Sequence, residues 1–488
     1  MEIWTTDATS DGVFRMDPPS GTSGGVEAAP TREASSGPPS GQGALPPRPS
    51  TEAPGPRLPR LLQTLLALMR PVEARLRMHE RYGSVFRTND AIVGELFHVA
   101  ERELVEQLFR WKPAQYSVGE PRQVMKPVLG PWSILLLDGE PHLRTRKLML
   151  PPFHGEAISH YAELIEQITH REITTWRPRD TVRTRRVAQK ITLEVIIRAV
   201  FGITDPGRIA ELGHLLPRLS SPNPLLLLAQ RNLGPGSPWG RFLRVRDHVD
   251  RLLYEEIVQR RNDPDRDRRK DILTMLLSAL DEAGAPLSDR ELRDELVTLL
   301  LAGHETTATS IGWAFERLLR TPSALERLIA EVQGGEPAEY LDAVVKETLR
   351  IRPVVPEVFR APTEPTEIGG YQFEPGTQLA AAILIVQHDP ELYPPDPAAF
   401  RPERFLDGAP EPYSWIPFGG GVRRCLGAAF AMLEMRIVIS TILSRATLRA
   451  SRAAAEKARF RGATLLPSRG GEALVEGVTP RLPAGTAA

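Results

Sequence analysis

The chain has 488 residues, with 61 lysines and arginines balanced by 61 aspartates and glutamates. No global field therefore draws it to nucleic acid or an anionic surface, and any such recognition must be local. Hydrophobic residues at 41% and charged residues at 25% are ordinary globular values, and Cys425 is the single cysteine. That excludes an intramolecular disulfide and a multi-cysteine zinc site, predicts a reducing compartment, and leaves one candidate thiolate.

Residues 1–57 are rich in Pro, Gly, Ser and Ala with no hydrophobic period, which predicts a disordered tail ahead of one domain over 58–488. The start lacks the basic stretch and apolar run of a secretory peptide. Leu61–Met69, between Arg60 and Arg70, is far short of the roughly 20 residues that cross a bilayer. A cytoplasmic protein with no transmembrane anchor and no nucleic-acid partner is expected. Leu58, Leu61, Leu62, Leu65 and Leu66 keep helical spacing, and Ala157–Thr175 and Arg244–Arg261 read as further helices. Strand signals are short: Val85–Arg87 with Ala91–His98, then Thr366–Phe373, Gln378–Ile385, and Thr464–Leu466 with Ala473–Val475 as one small sheet. The predicted class is mainly α with a small β portion.

The clearest helix opens at Ser288, where a capping box with Glu291 satisfies two orphan amides, and it runs to about Leu319 before Pro322. At on the order of 45 Å it would cross the whole domain as a spine. Leu296–Phe315 is long enough to span a membrane, but His304 and Glu305 in its middle mark a buried helix with a polar interruption.

Three constellations carry chemistry. In the first, Gly419, Gly420 and Gly421 let backbone pass close to something flat or bulky, and Cys425 follows where a helix begins. A thiol there, beside Arg423 and Arg424, has its thiolate favoured by amides, dipole and cations. The alternative is an inert buried cysteine. A phosphate loop fails for want of Gly-Lys-Ser/Thr, and no His has the signature of a thiol hydrolase's base. In the second, Leu299, Ala302, Gly303, Thr306 and Ser310 share one face of the spine, mostly small, against which a planar ligand can lie. Thr306 can bond back to the Ala302 carbonyl, and Glu305 with Thr306 offers an acid and an alcohol for a proton relay. The alternative is a helix-packing seam with Glu305 solvated. A zinc-protease reading fails because Ala308 stands where HExxH needs His. The third is Glu347 with Arg350, one turn apart before Pro353.

In this order the constellations resemble the cytochrome P-450 haem-thiolate monooxygenases. Phe418, Gly421, Arg423, Cys425 and Gly427 complete that family's cysteine-loop pattern. Ala302, Gly303, Glu305, Thr306 and Thr307 match its oxygen-activation pattern, and Glu347 with Arg350 its Glu-x-x-Arg pair. Pro402-Glu403-Arg404-Phe405 looks like its meander, and the resemblance covers about 60–480.

The resemblance implies a cytochrome P-450 fold with haem b between the long central helix and the cysteine-loop helix, residues 426–445. It implies Cys425 as the thiolate ligand of the iron, with Phe418, Gly419 and Gly427 around it. His142, Arg146, Arg360 and Arg423 would take the propionates, whose carboxylates suit forked donors. Ala302 would face the ring, Thr306 would steady dioxygen and Glu305 would help deliver protons. Glu347, Arg350 and Arg404 would be structural.

The implied reaction inserts one oxygen atom from dioxygen into a small apolar substrate, lipid, terpenoid or polyketide-like. Electrons would come from a ferredoxin or flavodoxin with its NAD(P)H-dependent reductase, because the chain ends soon after the cysteine helix. Arg144, Lys147 and Arg424 offer a basic docking patch for that donor. Residues 114–137, 215–228, 354–358 and 464–467 would line the pocket. The stretch from Ser133 to Glu156 also looks like a bacterial subgroup, cyanobacterial members included, associated with fatty-acid-like substrates. Two rivals remain: a haem-thiolate peroxygenase or isomerase that needs no reductase, and a non-catalytic haem sensor or scaffold. The intact Glu305–Thr306 pair favours dioxygen activation over both.

Overall fold

A computed structural model describes residues 47–479 apart from 119, 221–233, 235 and 336. Most of the expected tail, and the pocket expectation at Leu225–Leu228, lie outside the described residues. The tail boundary moves. Arg48–Pro49 pairs in parallel with Tyr371 and Gln372, and Ala53 is buried, so residues 47–57 are already built into the domain.

Six helices position the site: α1 (Arg60–Met69), α2 (Gly139–Met149), α3 (Thr184–Phe201), α4 (Asp289–Leu318), α5 (Glu339–Ile351) and α6 (Ala428–Arg445). Helix α4 is the predicted spine. It opens on the expected box, the Ser288 N–H donating to Glu291 Oε2 at 2.8 Å and the Glu291 N–H to Ser288 Oγ at 3.3 Å. Over its 30 residues it is buried on nearly every side, and its largest packing partner is α3. Two glycines set that approach. A Cβ at Gly303 would lie 3.1 Å from Ile196 Cδ1, and one at Gly312 would lie 2.7 Å from Arg185 Cβ. The helices share one large apolar core.

A second, smaller core lies on a five-stranded sheet. Its strands are β1 (Val85–Asp90), β2 (Gly94–Val99), β3 (Tyr116–Ser117), β4 (Val358–Pro362) and β5 (Leu379–Ala381), in the order β1-β2-β5-β4-β3. β2 and β5 run parallel and the other pairs antiparallel.

Three strand readings are corrected. Thr366–Phe373 is a hairpin that turns at Gly369 and Gly370, both at positive φ, a conformation glycine adopts without strain. Gln378–Ile385 gives a three-residue strand followed by a short helix at Ile383–Val386. Thr464–Pro467 pairs with Ala458–Arg461, whereas Glu472–Val478 pairs with Ala446–Ala450 and Thr181–Arg183, so the two segments belong to separate sheets.

Candidate active site: a thiol loop, a cage of cations and a small-residue helix face

The loop before α6 is wound tightly around Cys425. The Cys425 N–H donates to the Phe418 carbonyl at 3.0 Å and the Arg424 N–H to the Gly421 carbonyl at 3.0 Å. The turn depends on glycine where φ is positive and backbone is close: Gly421 has φ +64°, and a Cβ there would fall 2.0 Å from the Phe109 carbonyl oxygen. Cys425 has accessible surface, yet it is enclosed by protein, and burial is the largest influence on its thiol. The two facts agree if that surface faces an internal space. Burial pushes the thiol up, against the pull of the Gly427 N–H and of Arg146 and Arg424. The amide and cation pulls that the sequence reading named are thus present, and for the bare thiol burial opposes them. Helix α6 starts at Ala428, three residues beyond the sulfur, and desolvation outweighs the cations.

Around this loop the chain gathers a cage of cations. His142 and Arg146 stand one turn apart on α2, Arg360 lies on β4, and Arg423 precedes the thiol. Arg423 donates to Asp138 Oδ1 at 2.6 Å and to the Leu137 carbonyl. The Arg360 guanidinium lies 4.8 Å from the Tyr116 ring and that of Arg423 lies 5.9 Å from it. Sequence reading missed Arg122, which feels both Arg360 and Arg423. Burial and those two charges push it down to about 10. Burial, then the arginines, push His142 down to about 3, so its imidazole is neutral at physiological pH.

Three guanidiniums, those of Arg122, Arg360 and Arg423, thus feel one carboxylate, Asp138, and the buried Nε atoms of Arg360 and Arg423 have no hydrogen-bond partner among the described residues. Buried donors without partners are costly, so the cage calls for further anions. A haem brings two carboxylates and an iron that takes a thiolate. These residues fit that group.

The α4 face divides. Gly303 and Ser310 pack inward, as the seam alternative had it, while Ala302 is exposed and Thr306 half-exposed. Thr306 Oγ1 donates to the Ala302 carbonyl at 2.7 Å, as its spacing predicted. Glu305 is not solvated. Arg185 on α3 pairs with its Oε1, and Gln189 Nε2 donates to its Oε2 at 2.5 Å. These two partners were also missed, since nothing local marks an arginine and a glutamine on a neighbouring helix. The fully buried Arg350 donates to Glu347 at 2.6 and 2.8 Å and to the Gln387 and Pro397 carbonyls, while Arg404 sits 3.7 Å from Glu347. That is a structural knot, as expected. The donor-docking patch shrinks. Arg144 is paired with Asp281 and Glu291, and Lys147 with Glu282, which leaves Arg424 exposed.

The comparisons with known proteins decide the family. A family model for cytochrome P-450 matches residues 49–474. The chain belongs to the cytochrome P-450 family. Cytochrome P-450 135B1 of Mycobacterium tuberculosis (strain ATCC 25618 / H37Rv) is 41% identical over 424 residues, 86% of this chain and 90% of that protein. Cytochrome P-450 138 of Mycobacterium bovis is 36% identical and covers 86% of this chain and 96% of its own length. The solved structure of cyanobacterial CYP120A1 with retinoic acid bound has a TM-score of 0.74 at 24% identity, covering 89% of this chain and all of that one. The fold is therefore a cytochrome P-450 fold, and this P-450 is a haem monooxygenase whose cofactor is iron protoporphyrin IX. No helix among the described residues is long and apolar enough to cross a membrane.

Proposed function

We propose that this cytochrome P-450 oxidises a small apolar substrate in the cytoplasm, with electrons from a separate ferredoxin or flavodoxin and its NAD(P)H-dependent reductase. The observation that carries the site assignment is the thiol loop beside a cluster of guanidiniums, two of which, Arg360 and Arg423, keep a buried Nε without a partner among the described residues. Cys425 would supply the thiolate ligand of the iron, and His142, Arg122, Arg146, Arg360 and Arg423 would hold the propionates. Bound there, the haem supplies dioxygen activation, with its thiolate pushing electron density toward O–O cleavage.

The chain's own residues do the rest. Neutral His142 gives an N–H to a carboxylate without adding charge to an already cationic cage. Metal coordination deprotonates a thiol outright, so the upward push on Cys425 is overcome when iron binds. Thr306 spends its proton on the Ala302 carbonyl, which leaves its oxygen lone pairs free to accept from the distal side. Glu305 is held by Arg185 and Gln189, with Arg461 3.8 Å away, and it can take a proton on the remaining lone pairs of its carboxylate. Half-buried Leu299, Val355, Val358 and Leu466 support an apolar pocket, whereas Val354 and Leu465 are core.

The test is a carbon monoxide difference spectrum of the dithionite-reduced protein beside Cys425→Ser. A red-shifted Soret band lost in the variant supports the thiolate assignment, and a band typical of a neutral ligand refutes it. Spin-state titration with lipid, terpenoid and polyketide panels then tests the substrate class. Turnover on hydrogen peroxide alone, indifferent to Thr306→Ala, would instead make the protein a peroxygenase.

A further inference from the structure

Residues 130–138 run as a strap between the spine and the cation cage, and their peptide groups are sorted by charge. Toward α4 the strap turns N–H groups. Trp132 donates to Asp294 Oδ2 at 2.9 Å and Ile134 to Glu295 Oε1 at 2.7 Å. Ser133, fully buried, adds a hydroxyl contact to Thr298 at 2.7 Å. Gly130 permits the close approach, at φ +88° and with a Cβ that would fall 2.0 Å from Asp294 Oδ1. Toward the cage the strap turns carbonyls. Arg423 donates to that of Leu137, and Arg122 to that of Leu135 at 3.5 Å. The strap therefore helps to fix where two cage arginines stand, and α4 fixes the strap.

Glu295 is the unusual pin. It is wholly buried, and its Oε2 has no hydrogen-bond partner among the described residues. The cations along this stretch of α4 are committed elsewhere. Arg293 donates to Asp294 and to Asp250 of the helix Pro238–Arg261, and Arg144 on α2 donates to Asp281 and Glu291. The strap itself carries no cation, and its one acid, Asp138, is held by Arg423. An ionised Glu295 would be a buried charge with a single donor and acidic neighbours, so the neutral acid is the form that fits. Burial pushes its carboxyl well above the usual range against the pull of the Ile134 N–H, and Asp294 and Glu291 add to the push.

A neutral latch is linked to pH. When the strap lifts, water reaches Glu295 and the carboxyl returns toward its ordinary range. Above that range the lifted form sheds a proton that the seated form keeps. Lifting then becomes about tenfold easier per pH unit.

We propose that Glu295 is a positioning residue of the haem site, a latch that pins the 130–138 strap beside Arg122 and Arg423 and lets it go when its carboxyl ionises. The inference rests on the cage reading given above. The experiment is hydrogen–deuterium exchange of the ferric holoenzyme from about pH 5.5 to 7, read at the strap peptide and corrected for the intrinsic rate. Strap exchange should rise by about tenfold per pH unit in wild type and stay flat in Glu295→Gln, whose amide oxygen still accepts from Ile134. Ser133→Ala should speed it roughly two- to tenfold at every pH and leave the slope unchanged. Haem transfer to apomyoglobin should follow, the ratio of wild-type to Glu295→Gln rates rising with pH. A slope absent from wild type, or retained in Glu295→Gln, overturns the proposal. So does a strap that exchanges no faster than α3, because it would then open only with the whole fold. A transfer ratio indifferent to pH overturns it as well. Exchange is read at an amide and the thiolate at the iron, so failure here is distinct from a failed carbon monoxide spectrum.

Discussion

Arg360 and Arg423 each keep a buried Nε without a partner, so each should contribute most when the haem carboxylates arrive. A charge-assisted hydrogen bond is worth about 1.5–3 kcal/mol, which converts to roughly 10- to 100-fold in haem retention. Arg360→Leu and Arg423→Leu should therefore lose haem to apomyoglobin that much faster than wild type, with Arg122→Leu showing a smaller effect. An unchanged transfer rate in both would remove these residues from the cage. Cys425, Arg423 and Thr306 could be singled out in the sequence because each sits in a contiguous pattern that resembles one of the family's. Arg122, Arg185 and Gln189 were not, because a loop or a neighbouring helix brings them to the site and no local pattern marks them. Cations beside Cys425 are visible in the sequence, whereas the burial that opposes them is not.

Packing between elements follows the same division. The spine was legible from its capping box and apolar length, yet Gly303 read as room for a ligand, and both it and Gly312 serve the contact with α3. Gly312→Ala separates two opposed effects. Alanine in a helix interior gains about 1 kcal/mol over glycine, but its Cβ would lie 2.7 Å from Arg185 Cβ and 3.2 Å from the Arg185 Cα. Backbone cannot yield as a flexible side chain can, so overpacking at about 1–3 kcal/mol should win. The variant should melt a few degrees lower, and because Arg185 also holds Glu305, its turnover should fall with it. A variant more stable than wild type would mean α3 shifts freely. The small sheets were less legible than the helices. A three-residue strand has no room for a period, and only pairing shows that Thr464–Pro467 and Glu472–Val478 have different partners.

Across the whole molecule, buried ionisable groups set how stability depends on pH, and two of them oppose each other. Burial, followed by Arg350 and Arg352, pushes His388 down to about 3, whereas burial alone pushes Glu434 up to about 8 with its Oε1 unpartnered among the described residues. Between pH 3 and about 6.5 the unfolded chain holds a proton on His388 that the fold rejects. Stability therefore rises with pH there, at about 1.4 kcal/mol per unit. Between about 4.5 and 8 the fold keeps a proton on Glu434 that the unfolded chain releases, so stability falls with pH at the same rate. These two slopes cancel each other where their windows overlap, from about pH 4.5 to 6.5. From pH 6.5 to 8 Glu434 should contribute a loss of about 2 kcal/mol. Urea unfolding of the carbon monoxide complex at those two pH values should show a loss in wild type that is smaller by about that amount in Glu434→Gln, which keeps the neutral shape. His388→Gln should leave the alkaline arm intact and flatten the acid one. An alkaline slope in Glu434→Gln equal to that of wild type would mean that the Glu434 carboxyl is ionised in the fold.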